Sequence, residues 1–342
     1  MDIREAKADV IRAGRELSES GLIARTWGNV SCRTDEEHFV ITASGRNYLS
    51  LTEDEVIEVG IKDLSYEGDI KPSSEKKVHA AVYKIKEDVN FIVHTHQEYA
   101  SAVSAMDIEA ITADEKYDLL GGAVLCASYG LPGTDKLCKN SAAVVEASTG
   151  KAVIMKHHGA LCFGRDRQEA FDAAHQLEKA CREYLAEMDD IFAKEMTHSE
   201  NGISEEEAFL EGERFNIDEG YLIQNTDDVV VDFSEEYMDL KPFLDDYAQM
   251  VGLRAPVVVD REERICKALK SSDVVIVNGN GALCRAGDFS DAQALSMLVR
   301  KNCMAYKAAA SVGEARPMSR SDCFIMRQVY KNKYSKLAKK KD

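Results

Sequence analysis

Val89-Asn90-Phe91-Ile92-Val93-His94-Thr95-His96 (VNFIVHTH, residues 89–96) is an apolar run that ends in two histidines spaced two apart. Its content of valine, isoleucine and phenylalanine predicts a buried strand. Side chains alternate between the two faces of a strand, so His94 and His96 leave one face while Val93 and Thr95 leave the other. Two imidazoles on one face are the arrangement a zinc-type ion uses, because borderline nitrogen donors bind it at about 2.0–2.1 Å. A satisfied pair of structural histidines would give the same pattern. A second cluster tips the balance: the strand-like run AVIMKHHG (152–159) ends in His157-His158. Sequential residues there face opposite ways, so only one of the two can join the pair.

Working outward, residues 2–20 carry Ala6, Val10, Ile11, Ala13, Gly14 and Leu17 at helical spacing before Gly21, which predicts a helix with one buried face. The runs HFVITA (38–43) and EVIEVG (55–60) read as short strands joined by polar turns, the habit of an antiparallel sheet. A second helix is expected from Ser73-Ser74-Glu75 onward, with Val78, Ala81, Val82 and Ile85 on one side. A long helix follows from about Gln168 to Met188. The acidic stretch THSENGISEEEAFLEGE (197–213) is the expected linker. The expected domains are therefore 1–196 and 214–342.

The chain also lies over itself. Without a gap, VIMKHHGALCFGRDRQEA (153–170) matches VIVNGNGALCRAGDFSDA (275–292), and Cys181 and Tyr184 fall on Cys303 and Tyr306. In the second copy Lys156-His157-His158 becomes Asn278-Gly279-Asn280, and no histidine follows His198. The expectation is a partial, degenerate repeat that keeps a scaffold and lacks the metal ligands.

Glu75 is the carboxylate expected to complete the site, since the start of a helix can aim it at the end of the sheet; a helix N-terminal acid favoured by the macrodipole has the same sequence signature. The turn around Ser73 and Ser74 offers hydroxyls and N–H groups that suit a phosphate dianion. TWGNVS (26–31) and ASGR (43–46) are two more Gly-containing turns able to present N–H groups to an anion, and each alone is just a turn. Arg46 is the cation best placed beside them. His79, four residues after Glu75, fits either support of the site or packing.

Composition bounds the rest. The 342 residues are 45% hydrophobic and 30% charged, the balance of a globular protein with room for two domains. No apolar run approaches the roughly 20 residues a membrane span needs. The N-terminus lacks a signal-peptide core, so a cytoplasmic location is expected, with no membrane partner. A net charge of -17 opposes general nucleic-acid binding. Six lysines between Lys331 and Lys341 are read as a solvated helix end. Nine cysteines with no CxxC pair imply reduced thiols rather than disulfides or a thiolate metal site.

Taken together, TWGNVS, ITASGRNY, KPSSEKKVH, IVHTHQEYASAVSA, ASYGLPGT and VIMKHHGALCFG resemble, in order and spacing, the class II aldolase/adducin family over roughly residues 1–190. The resemblance implies an α+β, three-layer α/β/α fold with a central, mainly antiparallel sheet flanked by helices. It implies zinc, or another divalent ion such as manganese or cobalt, on His94, His96 and His158, and Glu75 as acid/base with a pKa raised by apolar surroundings. It implies a substrate phosphate at Thr26, Gly28, Asn29, Ser44, Gly45, Ser73 and Ser74. The implied reaction is retro-aldol cleavage of a phosphorylated ketose to dihydroxyacetone phosphate and an aldehyde, through a metal-stabilised enediolate. A sugar-phosphate 4-epimerase, a related dehydratase or decarboxylase, and a non-catalytic, adducin-like interaction protein are the alternatives. A homo-oligomer is expected, with the second module taking the place of a partner subunit. The family's proton-donor tyrosine, counted back from Gly121-Gly122, falls on Glu115, with Tyr117 two residues later.

Overall fold

A computed structural model describes residues 1–23, 27–195, 205–215 and 220–334. Thr26, His198, most of the expected linker's first half and most of the lysine-rich end lie outside them. Among the described residues the chain divides into two compact units, one covering residues 1–184 and the other residues 185–332.

The first unit contains α1 (Ile3–Glu19), β1 (Asn29–Arg33), β2 (His38–Thr42), β3 (Val56–Gly60), α2 (Lys76–Ile85), β4 (Phe91–Thr95) and α3 (Glu98–Ser104). It continues with β5 (Ala110–Thr112), β6 (Ala123–Ala127), α4 (Asp135–Ala147), β7 (Ala152–Met155), β8 (Gly159–Gly164) and α5 (Arg167–Ala186). The eight strands form one mixed sheet in the order β3-β2-β1-β4-β8-β7-β6-β5. All neighbours are antiparallel except β6 and β7, which run parallel. Helices flank the sheet.

Why the sheet has two buried faces is visible strand by strand. Phe39 and Ile41 on β2, Ile92 on β4, Val153 and Met155 on β7, and Leu161 and Phe163 on β8 share a core with Val78, Val82 and Tyr83 of α2 and Leu137 and Val145 of α4. Burying each such large side chain contributes roughly 1.5–3 kcal/mol. The intervening residues, Val40, Val93 and Cys162 among them, are buried as well and point to the other face. There α1 packs on β1 and β2, and α3 on β7 and β8. The Asp2 carboxylate caps α1 by accepting from Arg4 N–H, and a Cβ on Gly14 would come within 3.0 Å of the Tyr48 ring.

Two expectations change. The run AVIMKHHG is not one strand. It breaks at Lys156, and His157 adopts φ +60°, a left-handed conformation that turns the chain back into β8. Helix α2 begins at Lys76, with Glu75 as its N-cap rather than in its first turn.

The second unit contains α6 (Asp190–Glu195), α7 (Glu205–Arg214), β9 (Tyr221–Asn225), α8 (Asp228–Glu235), α9 (Asp245–Met250) and β10 (Val257–Val258). It ends with α10 (Glu262–Leu269), β11 (Val274–Val277), β12 (Gly281–Ala286), α11 (Phe289–Ser311) and α12 (Arg320–Val329). Part of the segment read as linker is thus helical, because α7 packs on β9. The four strands are ordered β10-β11-β12-β9, with β10 and β11 parallel and the other pairs antiparallel. That is the order and orientation of β6-β7-β8-β4.

Candidate metal and acid/base site

Strand β4 is held between β1 and β8, and its register sets His94 opposite Asn29 on one side and Leu161 on the other. His94 is on the same face as Ile92, hence toward α2. His158 arrives from the turn between β7 and β8, where Gly159 lets the backbone close: a Cβ there would stand 2.3 Å from the Thr95 carbonyl oxygen. His94, His96 and His158 are 1%, 4% and 3% exposed, and each presents a ring nitrogen, all three within 4.8 Å of one another. The Nε2 atoms of His94 and His96 are 3.0 Å apart, close to the roughly 3.3 Å edge of a tetrahedral site with ligand bonds of about 2.0–2.1 Å. His94 Nδ1 lies 2.8 Å from the Ala160 carbonyl oxygen. A carbonyl only accepts, so Nδ1 carries the proton and Nε2 keeps its lone pair. Burial, opposed by the Glu75 carboxylate and reinforced by His96 and His158, pushes His94 well below the usual histidine range. Three buried, converging imidazoles fit a divalent ion. His157 does not join them. Its ring faces Tyr129, with centroids 5.7 Å apart.

Glu75 is buried beside the triad. Its two oxygens lie 2.9 Å from His158 Nε2 and 3.3 Å from His94 Nε2, and the Asn29 amide donates to it at 2.9 Å. Its side chain makes no capping hydrogen bond at the start of α2, which frees it for the site. The expected rise in its pKa is reversed. Burial acts upward, but His94, His158 and the Asn29 amide outweigh it and hold the carboxyl well below the usual range.

The turns expected to hold phosphate gather around this carboxylate. Ala43 pairs with Pro72, Ser44 N–H donates to the Lys71 carbonyl, and Ser73 Oγ accepts from Glu75 N–H at 3.2 Å. A Cβ on Gly133, in the Gly-rich connection, would be 3.6 Å from Ser74 Cβ. Gly28, at φ +110°, passes so close to β4 that a Cβ would meet the His94 carbonyl oxygen at 2.6 Å. Gly45 also has positive φ, +69°. Ser44, Gly45, Ser73 and Ser74 are thereby brought together. Asn29 sits in β1 rather than in a turn and reaches Glu75, while its Oδ1 is buried without a hydrogen-bond partner among the described residues. Arg46 is turned to Glu55, at 3.5 Å. Glu115 is exposed, and Tyr117 hydrogen-bonds to Glu183.

Behind Glu75 on α2, His79 Nδ1 lies 2.7 Å from Ser31 Oγ, which lies 2.7 Å from Tyr83 OH. Burial lowers the His79 pKa from 6.5 to about 4. Its folded value is depressed, so the unfolded chain binds the extra proton first as pH falls. The stability contributed by neutral His79 is complete above pH 6.5 and is lost between there and about pH 4. The expected loss is roughly 2 kcal/mol at pH 5. Urea unfolding at pH 7.5 and pH 5 checks this, because a His79→Phe variant that folds lacks this term. Equal losses in both proteins would contradict it.

Comparison with known proteins bears on the family and the fold. Residues 8–185 match the family model described as "Class II Aldolase and Adducin N-terminal domain". A 5-deoxy-D-ribulose 1-phosphate aldolase from Bacillus thuringiensis is 29% identical over 185 residues, 54% of this chain and 86% of that protein. A 3-oxo-tetronate 4-phosphate decarboxylase from Haemophilus influenzae is 29% identical over 180 residues, 51% of this chain and 83% of its own length. The solved structure of an L-fuculose 1-phosphate aldolase superposes with a TM-score of 0.50 at 28% identity, covering 62% of this chain and 96% of that one. With the match spanning β1 to α5, the chain belongs to the class II aldolase and adducin N-terminal domain family.

Proposed function

We propose that the first unit is a metal-dependent aldolase that cleaves a phosphorylated ketose to dihydroxyacetone phosphate and an aldehyde. The observation that carries this is the buried Glu75 carboxylate set against the His94 and His158 imidazoles. Burying a carboxylate costs several kcal/mol unless it is paired, and here its partners are the same imidazoles that converge as a ligand set, which favours a chemical use. His94, His96 and His158 would hold zinc, manganese or cobalt, which when bound supplies Lewis-acid stabilisation of negative charge on a substrate oxygen.

The chain's own residues do the rest. Glu75, ionised and oriented by Asn29, accepts or returns a proton at a carboxylate oxygen. Ser44, Gly45, Ser73 and Ser74, with Gly28 beside them and Thr26 outside the described residues, would hold the substrate's phosphate. Anchoring the non-reacting end converts binding energy into orientation at the reacting end. The decarboxylase among the relatives supports a second reading, since loss of carbon dioxide and retro-aldol cleavage both leave negative charge beside a carbonyl. A 4-epimerase uses the same cleavage with rebonding. An inert, adducin-like scaffold would not need the buried charge.

Two supports favour reading the second unit as a degenerate half-copy. Its four-strand sheet repeats β6-β7-β8-β4 in order and direction. Gly281 also takes the place of Gly159, a Cβ there meeting the Asn225 carbonyl oxygen at 2.1 Å. In this reading the domains are about 1–196 and 214–342, the chain works as a cytoplasmic homo-oligomer, and sedimentation as a fully active monomer would count against that assembly. Among the described residues no helix is long and apolar enough to cross a membrane.

The deciding experiment incubates the protein with phosphorylated ketopentoses and ketohexoses plus zinc, manganese or cobalt. The expected result is release of dihydroxyacetone phosphate, read by a coupled reductase. Epimerised sugar, or carbon dioxide from a phosphorylated keto acid, would replace the aldolase reading with one of its alternatives.

A further inference from the structure

We infer that Ser31 and His79 are positioning residues for Glu75, fixing helix α2 on the strand that neighbours His94; this rests on reading Glu75 as the acid/base. Glu75 is the N-cap of α2, its side chain makes no capping hydrogen bond, and its carbonyl accepts from Val78 N–H at 2.8 Å. Where the helix goes, the carboxylate goes. Toward the sheet α2 presents Val78, Val82 and the Tyr83 ring to the shared core. Such burial scales with area and has no direction, whereas a group that transfers a proton has to be placed to within about 0.5 Å. Direction comes from a polar seam. On β1 the face toward α2 carries the alternate residues Asn29, Ser31 and Arg33. They meet Glu75, His79 and Tyr83, which follow one another at one-turn intervals.

The rungs of this seam are short. The Asn29 amide donates to Glu75 at 2.9 Å, and Ser31 Oγ lies 2.7 Å from both His79 Nδ1 and Tyr83 OH. Arg33 donates to the Tyr83 carbonyl at 2.7 Å, and its guanidinium lies over the Tyr83 ring, 4.8 Å from the centroid. The middle rung stands in apolar surroundings. Ser31 is opposite Ile41 on one side and Ile92 on the other, and all three are fully buried, as is His79. Apolar side chains in the places of Ser31 and His79 would pack with no need of partners. A hydroxyl and an imidazole instead fix one distance and one orientation. His79 Nε2 is buried without a hydrogen-bond partner among the described residues, which weighs against stability as the whole use of this ring. Asn29 also faces His94 across the ladder between β1 and β4. Ladder and seam together therefore set Glu75 against His94, 3.3 Å from its Nε2. Asn29 orients the carboxylate, while Ser31 and His79 hold the turn that carries it.

The test compares His79→Phe, His79→Asn and Val82→Ala in the full-length, metal-loaded chain, with the phosphorylated ketose of the screen above that wild type turns over fastest. It measures kcat, KM, metal content and urea unfolding at pH 7.5. Phenylalanine keeps a ring but offers Ser31 no acceptor, asparagine restores one, and Val82→Ala opens a cavity on the same helix away from the seam. A positioning role predicts kcat roughly 10- to 100-fold lower in His79→Phe, with KM and metal content as in wild type. It also predicts partial recovery in His79→Asn, and wild-type kcat in Val82→Ala despite lost stability. Wild-type kcat in a folded His79→Phe, or an equal loss of turnover in Val82→Ala, overturns the inference. If His79→Phe does not fold, Ser31→Ala, which removes the shared oxygen, is judged by the same outcomes. Wild-type kcat in Glu75→Gln would instead bring down the acid/base reading. Should no ketose be cleaved, unfolding decides: the stability lost through His79→Phe is expected to differ between wild type and Glu75→Gln, since members of one network do not add, and equal losses overturn the inference.

Discussion

Glu75→Gln is expected to lower turnover by roughly 10²- to 10⁴-fold while the protein stays folded and retains its metal. Glutamine keeps the size of the side chain and can still accept from the Asn29 amide, so the packing around this residue survives. What disappears is the ionised oxygen that takes up a proton, together with the negative charge facing His94 and His158. The measurement is steady-state cleavage beside metal content by atomic absorption. Full activity in the variant would remove Glu75 from the chemistry. Loss of metal with activity lost in proportion would give it a holding role instead.

The second large effect is expected from His94→Ala combined with His96→Ala. With two of three converging nitrogens gone, metal affinity should fall by at least roughly 100-fold, the upper end of what losing a supporting contact costs. The sharper sign is in stability. Ligand that binds only the folded state raises the unfolding midpoint, so a chelator should lower the midpoint of wild type and leave that of the double variant unmoved. Equal chelator effects in the two proteins would show that the metal sits elsewhere.

Much of this layout was legible in the sequence because it depends on strand period and on residues with narrow chemistry. The alternation in VNFIVHTH put His94 and His96 on one face; β4 holds His94 there, and His96, one residue past its end, still brings its Nε2 to 3.0 Å from that of His94. The helices at 2–20 and 168–188 were visible from apolar spacing and appear as Ile3–Glu19 and Arg167–Ala186. What was not legible depended on turns and on partners distant in sequence. His157 and His158 were separable only by the left-handed backbone at His157, a conformation histidine rarely takes and no periodicity announces. Asn29 was read as a phosphate contact from its motif, but its amide serves Glu75, 46 residues away along the chain. The pKa of Glu75 was expected to rise because burial was weighed without the imidazoles that oppose it.

The register of β4 between β1 and β8 also bears on how the chain reaches this state. If that strand slid by a single residue, Val93 and Thr95 would take the face now held by His94 and His96. A misaligned intermediate would then offer an ion only His158 of the three. If these histidines hold a metal as proposed, its capture would reward chains whose central strands have paired correctly.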